Sequence, residues 1–181
     1  IIKETDPVRL HGYTSAQGDM AVRAKIAESI EKRFGFPAKK DLIYMTCGAA
    51  ASLTVTLNAL INSGDEVIIP APFFPEYRVF AENAGAHVVT VMCREPDFQL
   101  DIKAIESAVT KKTKAIIINS PNNPTGAVFS PDTVKALSDM LDKAVLSEYI
   151  RKNPCTGVEM PKEVKKERRV LTKEEQEKFF T

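Results

Sequence analysis

Three short stretches carry residue types that could hold a small anionic or planar ligand. The first is Lys114–Gly126, KAIIINSPNNPTG, where a β-branched run, Ala115–Asn119, enters a proline-punctuated turn. The turn offers Asn119, Ser120, Asn122, Asn123 and Thr125, whose amides and hydroxyls can donate to a ligand oxygen. In open α/β sheets, ligands bind at the carboxyl ends of strands. Read alone, the same Asn, Pro and Gly residues also describe an ordinary turn. The second stretch is Thr46-Cys47-Gly48-Ala49-Ala50, a strand running into a helix through small residues. A helix amino end presents free N–H groups and a positive dipole, which suits a phosphate. Small residues there equally suit tight helix–sheet packing. The third is Pro70–Tyr77, PAPFFPEY, where Phe73 and Phe74 are available to stack on a flat ring or to fill the core.

These groups need a frame, and the pattern along the chain predicts one. The unalternating run Ala115–Asn119 reads as a central parallel strand covered on both faces. Asp19–Phe34 places Met20, Val22, Ile26, Ile30 and Phe34 near a helical period, with Asp19 as cap and Gly35 as stop. Asp41–Thr46 is a short strand candidate, and the small and aliphatic residues leading to Ile61 read as a mostly buried helix stopped by Asn62-Ser63-Gly64. Glu66–Ile69 follows as a strand, Phe74–Asn83 as a helix closed by Gly85, and His87–Met92 as another strand. Asp101 caps a helix through Val109, and Ser130-Pro131-Asp132 opens one with a capping Ser and Pro at the first helical position. Residues 1–18 read as loop and turn. Strands and helices alternating through short links imply a parallel sheet with right-handed crossovers.

Composition narrows the function classes. The chain has 181 residues, 44% of them hydrophobic, with a formal net charge of +1. That supports a real core and gives no general pull towards nucleic acid or an anionic membrane. No apolar run reaches the roughly 18–20 residues of a membrane span. The first residues, IIKETDPVRL, lack the basic-then-apolar order of a signal peptide and also lack an initiator Met, which suggests a processed, trimmed or internally started chain. Cys47, Cys93 and Cys155 are widely spaced, without metal-ligand spacing, so a reducing cytoplasm is the expected location. His11 and His87 are too few and too far apart for a metal cluster.

Taken together, GYTSAQGD (12–19), MTCGAAASL (45–53), SGDEVIIPAPFFPEY (63–77) and NSPNNPTG (119–126) resemble the class I and II aminotransferases. The resemblance covers about residues 1–144 and implies a three-layer α/β/α fold with a mostly parallel sheet, an incomplete large domain of the pyridoxal-phosphate (PLP) transferase type. It implies that Gly48, Ala49 and Ala50 bind the cofactor phosphate mainly through backbone N–H groups. Phe74 matches the aromatic that stacks on the pyridine ring, and Asn123 the asparagine that hydrogen-bonds its phenolic oxygen. Tyr13 would donate across a homodimer interface to the partner's phosphate. Hydroxyl and amide donors found in some relatives are replaced by Ala49, Ala50 and Ala51, which would lower affinity. The implied activity is amino-group transfer between an amino acid and a 2-oxo acid.

The resemblance also breaks down. The family's pyridinium-nitrogen aspartate lies in a D-E-x-[YF] segment after NPTG, and here the chain reads SEYIRKNPCTGVEMP. The Schiff-base lysine and carboxylate-binding arginine are expected further on than these 181 residues extend. Lys111, Lys112, Lys114 and Lys143 surround a strand start and a helix end. The expectation is therefore a truncated enzyme with no catalytic residue of its own and no activity alone.

After about Lys143 the alternation stops, and a boundary is expected near 144–152, with residues 145–181 forming a charged helical tail. Val145–Lys152 could prolong the preceding helix, and Asn153-Pro154 would end it. Pro161–Arg169 reads as a linker, and Thr172-x-x-Glu175 as a capping box. LSEYIRKNPCTGVEMPKEVKKERRVLTKEEQEKFF (146–180) resembles the junction between the core-binding and catalytic domains of tyrosine recombinases. None of that family's catalytic Arg, His or Tyr positions is present. Lys162, Lys165, Lys166, Arg168 and Arg169 alternate with Glu163 and Glu167, so phosphate neutralisation by this patch would be weak. Two unrelated resemblances in one chain imply a gene fusion, frameshift, mobile-element insertion or cloning artefact.

Overall fold

The structure is a computed structural model and describes residues 11–35 and 37–156. The elements are α1 (Met20–Phe34), a 3-10 turn (Lys40–Leu42), α2 (Ala49–Leu60), β1 (Glu66–Ala71), α3 (Glu76–Asn83), β2 (His87–Met92), α4 (Ile102–Ala108), β3 (Thr113–Ile116) and α5 (Pro131–Leu146). The three strands are parallel in the order β2-β1-β3. The chain thus steps from β1 out to β2 through α3, then returns through α4 to the other side of β1. Right-handed crossovers in opposite directions place their helices on opposite faces. The expected α/β/α layering is what forms.

Alternation along β1 divides the core. Ile68 faces Leu100, Ile105, Leu137 and Met140, on the side of α4 and α5. Val67 and Ile69 face Leu57, Ala81 and Val88, on the side of α2 and α3. Val67, Ile68 and Ile69 are at most 1% exposed. Removing one such side chain from water is worth about 1.5–3 kcal/mol. β1 is therefore the hub of the sheet.

Local signals set most helix ends. The Asp19 carboxylate accepts from the amides of Ala21 and Val22, and Gly35 closes α1 at φ 65°. Asp101 accepts from the Ala104 amide to start α4. Ser130 accepts from the Thr133 amide to start α5, with Pro131 in its first turn. α5 ends at Leu146, short of the extension to Lys152, and Glu148 takes a φ of 60° just beyond it.

Three expectations are corrected. Ala115–Asn119 is not the central strand: β3 is Thr113–Ile116, it pairs only with β1, and its residues are half-buried apart from exposed Lys114. The reason that it ends early lies in β1. The Ile117 amide donates to the Ile68 carbonyl at 3.0 Å, and the next rung would need an N–H from Pro70, which has none. Asp41–Thr46 forms a 3-10 turn and an extended segment instead of a strand. It meets another segment through the Met45 amide on the Gln17 carbonyl, 3.0 Å, and a single rung does not make a ladder. α2 is not mostly buried: Leu57 is its one buried residue, while Val55 and Leu60 are exposed. It is packed along one face only, against α3.

Arg23 is buried in α1. Its guanidinium donates to the Gly18 carbonyl (3.2 Å) and the Lys40 carbonyl (2.9 Å), tying α1 to the loops on either side. Gly18 has φ 91°, and a Cβ there would lie 2.5 Å from the Met45 side chain, so only glycine fits. Among the described residues, no helix is long and apolar enough to cross a membrane.

Candidate functional site

The reversal of strand order between β1 and β3 defines a switch point, and crevices at such points are where open α/β sheets bind ligands. Here the two strands diverge after the Ile117–Ile68 bond. Phe73 and Tyr77 from the β1–α3 connection meet Asn119, Asn122 and Phe129 from the β3–α5 connection around one small cavity. That cavity is only about 10 Å³, so the side chains fill it, and a ligand at this end must rest on the rim.

The rim is firmly built. Asn122 is buried, and its Oδ1 accepts from the Thr125 hydroxyl (3.0 Å) and amide (3.3 Å). Its own amide donates to the Ala127 carbonyl (2.8 Å), and its carbonyl accepts from Gly126 (2.7 Å). Gly126 has φ 71° at this turn. The Asn123 amide is held by Asn119 Oδ1 at 2.8 Å, while residue 123 itself is exposed. The turn is fixed, and one asparagine is presented outward. Beside it Phe74 stands edge-on to Tyr77, with ring centroids 5.7 Å apart and planes at 73°. Phe73, by contrast, lies under the Arg78 guanidinium, 6.0 Å from its ring centre.

Gly48, Ala49 and Ala50 form the amino end of α2. Gly48 precedes the first turn with φ 90°, and all three residues are exposed. The first amides of a helix have no partner within it, so this end is open to an anion. Two hydroxyls that sequence reading passed over sit here: Thr46 Oγ1 and Ser52 Oγ hydrogen-bond each other, and each also contacts the Gly48 carbonyl, at 3.2 and 3.4 Å. Their signal was spacing, one hydroxyl before the cap and one a turn inside it. Neither Tyr13 nor the Gly48–Ala50 end lines the small cavity of the crevice. Tyr13 is fully exposed. Lys111, Lys112 and Lys114 lie at the amino end of β3, opposite the asparagine turn, and Lys143 pairs with Glu106 at 3.4 Å.

The comparisons fit this geometry. The sequence model of the family "Aminotransferase class I and II" matches residues 2–148. The chain belongs to that family. It is similar to the probable aspartate aminotransferase of Methanocaldococcus jannaschii, 35% identical over 72% of this chain and 34% of the relative. It is 37% identical to the alanine aminotransferase of Mycobacterium tuberculosis strain H37Rv, over 73% of this chain and 31% of the relative. Among solved structures, an amino transferase from Eubacterium rectale aligns with a TM-score of 0.76 at 48% identity, covering 81% of this chain and 37% of that one. Aspartate aminotransferase from Thermotoga maritima aligns at 0.71 and 32% identity, covering 75% and 37%. The chain spans about a third of the length of the curated relatives that it matches.

Class I and II aminotransferases depend on pyridoxal phosphate. The donor chemistry of this aminotransferase chain fits the two ends of that molecule. An exposed helix amino end with two adjacent hydroxyls suits the phosphate, and an exposed asparagine beside an aromatic ring suits a flat, oxygen-bearing heterocycle. When bound, the cofactor supplies an electron sink that no amino-acid side chain offers.

Proposed function

We propose that this chain carries the phosphate-binding and ring-edge part of an aminotransferase PLP site and does not transaminate alone. The observation that carries the reading is the open amino end of α2, where Gly48, Ala49 and Ala50 expose backbone donors beside Thr46 and Ser52. Those residues would hold the phosphate. Phase and tilt of the ring would follow from Phe74, and Asn123 would donate to its oxygen. The absence of activity rests on the sequence after Gly126, which does not match the family's aspartate segment and offers no lysine matching its Schiff-base position. The substrates of the family reading are an amino acid and a 2-oxo acid, in the cytoplasm, with Tyr13 reaching a second subunit's phosphate in a homodimer.

The tail is a separate matter. Its resemblance to a tyrosine recombinase junction favours a chimeric chain, and the alternative function is a non-catalytic fusion product or a DNA-binding fragment acting through 146–180. Salt-dependent DNA binding would support that alternative.

The test is titration with pyridoxal phosphate, then borohydride reduction, intact mass and peptide mapping. We expect saturable binding that inorganic phosphate competes away, weakened severalfold by Ser52→Ala, with no stoichiometric lysine adduct. Specific labelling of one lysine would overturn the inactivity reading. Absence of saturable binding would overturn the half-site itself.

A further inference from the structure

A groove of about 730 Å³ runs beside β3, walled by Ala115, Ile116 and Ile118 on one side and by Leu137, Met140 and Leu141 of α5 on the other. Its lining is mainly apolar, yet no described element occupies it. The Ile117 amide points to β1, and amide direction alternates along a strand, so the N–H groups of Lys114, Ile116 and Ile118 point to the open edge. Ala115–Ile118 is written like a strand with neighbours on both sides, and it has one.

We propose that this edge takes up a parallel β-strand from an aminotransferase-family polypeptide, namely from the region that the relatives possess beyond the part matched here. Several observations favour that occupant over others. The relatives carry about twice as much additional chain as this one matches, and it must pack onto the same α/β core. A strand laid against β3 would extend the existing parallel sheet in the same plane, with its side chains meeting Ile116 on the α5 side. The rim is basic: Lys114 and Lys152 make no ion pair among the described residues, and Lys143 is held only by exposed Glu106. An apolar strand bordered by carboxylates would complement it. A second copy would instead bring the same lysines against each other. The Asn153 amide donates to the Ser138 carbonyl (2.9 Å) and Asp142 Oδ1 (2.8 Å), which folds residues 149–155 back along α5 and leaves the β3 edge uncovered. The inference rests on family membership and the open edge, independently of whether the cofactor binds.

The experiment co-expresses the full 181-residue chain with the part of the Eubacterium rectale aminotransferase outside the match. Readouts are co-purification, light scattering and hydrogen exchange. We expect a soluble one-to-one complex in which exchange at Lys114, Ile116 and Ile118 slows at least tenfold relative to the chain alone. Lys114→Pro removes an edge N–H without touching the β1 ladder, and it should abolish the complex while leaving the chain's own exchange pattern intact. Lys143→Glu should weaken it severalfold. A fragment that stays insoluble or elutes alone would overturn the proposal. So would β3 protection already present in the isolated chain, which would assign the groove to its own residues 157–181. Protection that rises with the concentration of this chain alone would assign it to a second copy and also overturn the proposal. Cofactor binding is read in neither arm, so failure here is distinct from failure of the half-site.

Discussion

β1 and β3 are neighbours with similar spelling, EVIIPA against TKAI and its continuation IIN, and they have opposite fates. β1 has a strand on each side and helices on both faces, and its Ile68 is fully buried. β3 has a single neighbour, and its isoleucines are half-buried until Ile118 emerges into solvent. An apolar run states how much cover a strand is suited to; the neighbours decide how much it receives. α2 repeats the point: its sequence suits burial all round, and the fold covers one face.

The sharpest test of this contrast is a matched pair of truncations. Ile68→Ala should cost about 4 kcal/mol in chemical denaturation, because the cavity opens where both core faces are closed. Ile116→Ala should cost about 1 kcal/mol, since its side chain already borders the open groove. Equal costs would mean that the β3 edge is covered in solution. The second pair concerns α2. Leu57→Ala should cost about 3 kcal/mol and Val55→Ala below about 0.5 kcal/mol, measured the same way. A large effect at Val55 would show its exposed face to be packed.

The smallest effect is kinetic. Burial raises the Cys93 thiol pKa, and burial followed by the Asp142 carboxylate raises that of Cys155. A raised thiol pKa means less thiolate at a given pH, and the thiolate is the nucleophile. At neutral pH, alkylation followed by mass spectrometry should label exposed Cys47 first, with Cys155 and Cys93 behind it. Both lagging thiols should gain on Cys47 as the pH rises. Early labelling of Cys93 would report opening of the α4–α5 face, where it is packed.

Much of this was legible before any coordinates. Asp19, Asp101 and Ser130 announced helix starts because a cap is local chemistry, settled within three residues. His87–Met92 was legible because a strand flanked by Gly85 and a turn has few alternatives. The asparagine turn was readable as a ligand-facing element at a strand end, and the crevice forms there. Rank within the sheet was not legible, since centre or edge depends on what lies alongside. The strand limit at Ile116 was hidden because its cause sits in a different strand. Asp41–Thr46 read as a strand because propensity describes the segment and cannot supply a partner. Thr46 and Ser52 were missed because attention went to the small residues between them. Arg23 was hidden among the charges of an amphipathic helix, and nothing in its spacing marks it as the buried one.

Pro70 carries a consequence of its own. The depth of the crevice between β1 and β3 is measured out by one absent proton, so it works like the stop at the end of a zipper. Strand length can drift with loop sequence, but the point where these two strands part is tied to an imino acid in the most tightly packed part of the molecule. The asparagine turn begins two residues after that point, so its starting position is inherited from the core.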